Sequence, residues 1–194
     1  ETDTAQIEAA VEAGATLSTH LGNGAHGTLR RHPNYIWDQL GEPKLTASII
    51  ADDQHLPDSV VRSFYFAKGQ EKIVLTCDAS GLAGCPPGVY GFEGNQFEVL
   101  PSGRVVIAGQ EQFLAGSGVQ TDVCIAAMMR MTGCRLADAW DMATVNPARI
   151  TNVNCAELAT GSPADFVLFD QEFPGAKIEV LRTIAAGEIV YERN

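Results

Sequence analysis

Thr46–His55 reads TASIIADDQH and Ile73–Asp78 reads IVLTCD. Each is a short run of β-branched and small apolar residues that breaks into acid, thiol or histidine. An apolar run without polar alternation fits a strand buried on both faces, as in a parallel sheet. Ala15–Thr19, ending at His20, has the same form. Between these runs lie the helix-compatible segments Pro33–Leu40 and Pro57–Lys68, the second with Asp58 and Ser59 in its first turn. Strands alternating with helices at this spacing predict parallel βαβ units. In such folds ligands and catalytic groups gather at the C-terminal ends of the strands. His20, His55 and Asp78 are the titratable residues delivered there.

Outward from this segment, Ala5–Ala13 reads as a helix on the upstream side. Downstream, glycine and proline punctuate Gly81–Gly118 around the strands Val89–Phe92, Gln96–Leu100 and Val105–Ala108, with a turn at Pro101-Ser102-Gly103. Helices follow over Thr121–Met131, with Val123, Ala126, Ala127 and Met131 on one face, and over Leu136–Ala143. Asn146-Pro147 reads as the N-cap and first position of another helix. Asp165–Asp170, Ile178–Ala185 and Glu188–Tyr191 are strands, the last two turned at Ala186-Gly187. The fold class is α/β, a parallel βαβ body with a small sheet beside it.

Composition narrows the partners. The 194 residues are 45% hydrophobic and 19% charged, as expected of a folded globular chain. Thirteen Lys+Arg against 24 Asp+Glu give a net charge of −11. That charge argues against nucleic acid and anionic membrane surfaces as partners. No apolar run approaches the roughly 18 residues of a membrane span. Five cysteines without a C-x-x-C pair predict mostly buried free thiols in a reducing, cytoplasmic setting.

The candidate residues have structural readings beside functional ones. His20 is a metal ligand or a structural histidine, and Asp78 holds a metal, moves a proton or caps a turn. Gly22–Gly27 lacks both nucleotide-binding glycine spacings. Arg30-Arg31-His32, a local knot of positive charge in an acidic chain, grips a phosphate or is a solvated loop. Cys77 reads as a buried strand thiol, and Met128, Met129 and Met131 as helix packing.

The run Thr19-His20-Leu21-x-Asn23, Arg31-x-Pro33, Ile50-Ala51-Asp52-x-x-His55, Thr76-x-Asp78-Ala79, Leu114-Ala115-Gly116-Ser117, Asn146-Pro147-Ala148-Arg149 and Ala164-Asp165 resembles the N-acetylglucosamine-6-phosphate deacetylases of the amidohydrolase superfamily, in order and over nearly the whole chain. The resemblance implies a (β/α)8 barrel of TIM type, a metal-dependent hydrolase, beside a small β-sandwich. Residues 1–150 would be the second half of the barrel, with a β-rich insertion at about 85–112, and residues 151–194 strands of the sandwich.

The resemblance further implies a divalent metal of zinc class, one or two ions, with His20 as a ligand and the other ligands upstream of residue 1. Asp78 matches the catalytic acid/base. His55 matches a substrate contact, and Asn23 and Gly24 a sugar-phosphate pair. Arg31 matches the arginine that reaches the phosphate, and Leu114, Ala115 and Gly116 a substrate-contacting loop. The implied partner is a small amino-sugar phosphate, in a homodimer or larger homo-oligomer. Three departures ring this site: Gly22 stands for an aromatic residue, Asp53-Gln54 for a glycine-led pair, and Pro33–Trp37 for a glycine-rich continuation. Two other functions are open on the same residues, a different amide, cyclic-amide or deaminating reaction, and a metal-free piece serving assembly.

Overall fold

Thr46–Ile49 (β2) is the middle strand of a three-stranded parallel sheet, flanked by Leu17–Ser18 (β1) and Ile73–Leu75 (β3), in this computed structural model, which describes residues 2–92, 94–155 and 157–193. Every residue of β2 and β3 is buried, as strands covered on both faces require. The register pairs Leu17 with Thr46 and Ala47 with Ile73. Backbone pairing runs past the strand ends: Leu21 N–H donates to Ser48 at 2.7 Å, and Thr76 N–H to Ile49 at 3.1 Å. These two bonds carry the sheet's order into the segments that hold His20 and Asp78. β1 is shorter than Ala15–Thr19.

Helices cover the sheet. Thr4–Glu12 (α1) begins at a reciprocal cap between Asp3 and Gln6, and Tyr35–Gly41 (α2) at Asn34, whose side chain accepts from Ile36 and Trp37. The helix expected from Pro33 therefore starts two residues later, because Asn34 is the better cap. Asp58–Lys68 (α3) leads through a 3₁₀ turn, Gln70–Lys72, into β3. Thr121–Thr132 (α4), Leu136–Ala143 (α5) and Val145–Thr151 (α6) complete the helical layer.

α4 departs from the one-faced reading. Cys124 to Met129 and Met131 are all buried, while Val123 is only half-buried, since α4 is packed by α3, α5 and β3 at once. Asn146 departs too. Thr144 occupies the cap position, and Asn146 is buried inside α6. Its amide donates to the carbonyls of Gln70 and Ile73, both at 2.7 Å. A side chain spent on tying α6 to the start of β3 is not available to cap its own helix.

Two antiparallel sheets flank this body. Gly88–Phe92 (β4), Asn95–Val99 (β5), Val105–Ile107 (β6) and Gln110–Leu114 (β7) form a meander in chain order, one strand more than the sequence suggests. Phe166–Asp170 (β8), Glu179–Ala185 (β9) and Glu188–Glu192 (β10) form the second, with β9 central. Ala186 and Gly187 both have positive φ at the β9–β10 turn, as a two-residue hairpin of the primed type requires. This sheet joins the core through Phe169, which stacks on Trp140 of α5 at 5.1 Å between ring centroids, and through buried Ile178 just ahead of β9.

All five cysteines are free. Cys124 is buried, Cys77, Cys85 and Cys134 are half-buried and Cys155 is exposed, so the expectation of mostly buried thiols, Cys77 included, does not hold. Cys77 lies past the end of β3, where its sulfur accepts from Thr121 at 3.7 Å. Among the described residues no helix is long and apolar enough to cross a membrane.

Candidate active site

The chain leaves each parallel strand through a left-handed, non-glycine residue: His20 (φ 26°) after β1, Asp53 (φ 62°) after β2 and Asp78 (φ 51°) after β3. Only Asn152 and Ala186 share that conformation among the other described non-glycine residues. Such backbone costs on the order of 1 kcal/mol or more and persists where surrounding structure enforces it. Its concentration at one edge of one sheet marks that edge as the candidate site.

At the end of β2, the Asp52 side chain is wholly enclosed and the side chain of its partner His55 is 2% exposed. Four hydrogen-bonding groups face the carboxylate. Oδ1 takes the backbone N–H groups of Gln54 (3.0 Å) and His55 (2.9 Å). Oδ2 takes His55 Nδ1 (2.8 Å) and Ser117 Oγ (2.9 Å). Burial alone would raise this carboxyl, but the bonds from His55 and Gln54 outweigh it and hold Asp52 below the ordinary aspartate range. Asp53, next in sequence, is exposed instead and pairs with Arg130, which also donates to the Gly175 carbonyl at 3.0 Å.

At the end of β3, the Asp78 residue is exposed and its backbone is held on both sides. Its N–H donates to Thr76 Oγ1 at 3.2 Å, and its carbonyl accepts from Ser117 N–H at 2.9 Å. Ser80 N–H returns to the Ser117 carbonyl at 2.9 Å, so 79 and 117 pair as a short parallel bridge. Gly116 (φ 82°) makes this approach possible: a Cβ there would lie 3.1 Å from Ser80 Cβ and 3.2 Å from the Asp78 carbonyl oxygen. Leu114 closes β7, and Ala115 N–H donates to the Val105 carbonyl at 2.9 Å. The loop 114–116 therefore bears on the Asp78 backbone.

At the end of β1, His20 is half-buried, and its buried Nδ1 has no hydrogen-bond partner. A free, enclosed imidazole nitrogen fits a metal ligand. Among the described residues, however, no three His, Cys, Asp or Glu side chains converge to hold an ion. The set present is one fitting histidine, short of the three protein ligands of a typical catalytic metal site.

Asn23 and Gly24 line a cleft of about 300 Å³ with Thr19, His26, Tyr35 and Gln39. Arg31, His55 and Asp78 are not among its lining residues. Arg31 is exposed, in a segment whose carbonyls at 30 and 31 accept from the Asn34 amide at 2.9 and 3.4 Å. His26 is a residue that sequence reasoning passes by: the Tyr35 hydroxyl lies 2.9 Å from both its backbone nitrogen and its Nδ1. Two departures from the resembled pattern have physical explanations. At Gly22 (φ 87°) the Phe64 ring and Leu56 occupy the space of any side chain, at 3.2 Å from a Cβ. At Asp53 the left-handed backbone is the conformation a glycine would relax, and the pair with Arg130 holds it instead.

Comparisons with known proteins place this geometry. The chain is 30% identical over 190 residues to the N-acetylglucosamine-6-phosphate deacetylase of Lysinibacillus sphaericus, covering 97% of this chain and 47% of that protein. It is 33% identical over 153 residues to a putative N-acetylgalactosamine-6-phosphate deacetylase of Escherichia coli strain K12, covering 78% of this chain and 89% of that one. The crystal structure of the N-acetyl-D-glucosamine-6-phosphate deacetylase of Mycobacterium smegmatis matches with a TM-score of 0.85 at 30% identity, over 98% of this chain and 50% of that one. The chain thus spans about half the length of most of these relatives. The amidohydrolase family model matches residues 4–190, and the chain belongs to the amidohydrolase family.

Proposed function

We propose that this chain supplies part of the active site of a metal-dependent amide hydrolase that removes the acetyl group from N-acetylglucosamine-6-phosphate. The observation that carries the reading is Asp78, an exposed carboxylate at the end of a parallel strand on a backbone clamped by Ser117. Membership of the amidohydrolase family and likeness to two sugar-phosphate deacetylases support it. In this reading β1–β3 are neighbouring strands of a (β/α)8 barrel within residues 1–150, and β8–β10 belong to a small β-sandwich within residues 151–194.

Hydrolysis needs a water made nucleophilic and a proton for the departing nitrogen. Asp78 accepts the water's proton as it attacks the amide carbonyl, then returns it to nitrogen as the C–N bond breaks, leaving acetate and an amino-sugar phosphate. His55 binds the substrate. Asn23, Gly24, Leu114, Ala115 and Gly116 surround the sugar phosphate, and Arg31 takes the phosphate, for which a guanidinium fork suits a bidentate contact. His20 contributes one ligand to a divalent ion of zinc class. When bound, such an ion lowers the pKa of its water and polarises the carbonyl.

The test is a substrate panel on the full-length protein: N-acetylglucosamine-6-phosphate, N-acetylgalactosamine-6-phosphate, unphosphorylated N-acetylglucosamine and a hydantoin. The galactosamine epimer is the second reading, favoured by the match to the Escherichia coli protein. Turnover of a phosphorylated sugar above the others is expected. Arg31→Ala should lower kcat/KM for that substrate about ten- to a hundredfold, the worth of a charge-assisted bond of roughly 1.5–3 kcal/mol. Turnover of the unphosphorylated sugar should not change. Equal losses on both sugars, or a preference for the hydantoin, would end this reading.

A further inference from the structure

Among the described residues Asp52 is the one fully enclosed carboxylate at the strand-end edge, and the reaction as drawn does not use it. Its environment is a complete acceptor shell: two backbone N–H groups, one hydroxyl and one imidazole nitrogen on two oxygens. A carboxylate has about four lone-pair positions and no donor when ionised. With hydrogen bonds holding the group in its ionised form, the 2.8 Å contact has one polarity: His55 Nδ1–H donates. In the neutral ring that leaves Nε2 as a bare lone pair.

The second contact on Oδ2 reaches across to β3. Ser117 Oγ donates to Asp52 while the Ser117 backbone N–H and C=O bond to residues 78 and 80. Ser117 is 1% exposed, so the joint has no competing water of its own. One buried serine thereby fixes both the carboxylate behind His55 and the backbone beneath Asp78.

We propose that Asp52 is a positioning residue of this site: it locks His55 in the Nδ1–H tautomer and, through Ser117, holds that ring in register with Asp78. Resting on the hydrolase reading above, the assignment makes a chemical statement about His55. A neutral His55 meets substrate as a hydrogen-bond acceptor at Nε2, taking a hydroxyl or amide N–H. It donates toward a developing oxyanion only when the ring carries both protons.

The test separates the tautomer from the substrate. Full-length protein labelled with 15N histidine is examined by two-bond 1H–15N correlation, with the His55 signals assigned by their loss in His55→Gln. The wild type is expected to show Nδ1 protonated, with Nε2 bare wherever the ring is neutral. Asp52→Asn presents an amide donor to Nδ1 and should invert the pattern to Nε2–H, as the same exchange does behind the histidine of a serine-protease triad. Asp52→Glu should keep the wild-type pattern, and Ser117→Ala should also keep it, since three bonds to the carboxylate remain. In turnover, Asp52→Asn should lose on the order of a hundredfold or more in kcat with KM changed far less, and Asp52→Glu should recover part of it. A wild-type ring found with Nε2–H and bare Nδ1 overturns the proposal, whether or not any variant folds. So does an Asp52→Asn protein with an inverted ring and unchanged kcat. If the Nδ1–H pattern is found while no sugar phosphate is turned over, the positioning assignment stands and the substrate reading fails.

Discussion

Asp78 holds left-handed backbone, and Gly116 lets the neighbouring segment come close enough to keep it there. Gly116→Ala would put a methyl group against Ser80 and the Asp78 carbonyl at a φ of 82°, strained twice over. We expect a stability loss of about 1–2 kcal/mol in urea titrations and a fall in kcat, since the shifted backbone carries the carboxylate we propose as acid/base. Asp78→Asn should keep the fold and the metal content while losing roughly 10²–10⁴ in kcat, the usual range for a missing general acid–base; near-normal turnover would remove Asp78 from the mechanism. Asp52 and Asp53 mark how far single residues were legible. Both are aspartates at the end of one apolar run, and neither composition nor periodicity says which is buried. In the fold one is enclosed with four donors and the other turns outward to Arg130. The difference is made by Ser117, 65 residues further along the chain.

At the scale of elements, the buried strands were readable because burial on both faces leaves an unbroken apolar run. The strand β7 was not. Gln110, Glu111 and Gln112 are exposed, so the segment has no apolar period, and pairing with β6 alone makes it a strand. Asn146 was misread for a related reason: Asn before Pro matches a helix start locally, while its amide serves two carbonyls more than 70 residues away. Asn146→Ala should leave both without this donor, one of them fully enclosed, at a cost of about 1–3 kcal/mol. Asn146→Asp should cost more, because it turns a carboxylate toward two carbonyl oxygens. Urea unfolding of the two variants checks the order. A neutral Asn146→Ala would mean that water replaces the amide and that α6 is not pinned to β3 by this residue.

For the whole molecule, the acidic surface and the buried carboxylate predict different responses to acid and salt. Among the described residues three carboxyls sit below their ordinary values: Asp52 among its donors, Asp138 beside Arg135 and Glu179 beside Arg193. A carboxyl whose folded pKa is depressed stabilises the fold above its unfolded value, near 4 for aspartate and glutamate. That stabilisation is lost as pH falls through the lower folded value. Acid unfolding below about pH 4 should therefore draw on all three groups at low salt. The Arg193 and Glu179 side chains are 48% and 43% exposed, whereas the Asp52 side chain has no exposure. At 1 M salt the screening length falls to about 3 Å, which weakens the exposed pairs and leaves the enclosed one. Acid titrations in low and high salt should thus differ for wild type. In 1 M salt the remaining slope below pH 4 should shrink in Asp52→Asn and persist in Glu179→Gln. If high salt abolishes the slope in the wild type, solvent reaches Asp52, and its four-donor shell is open in solution.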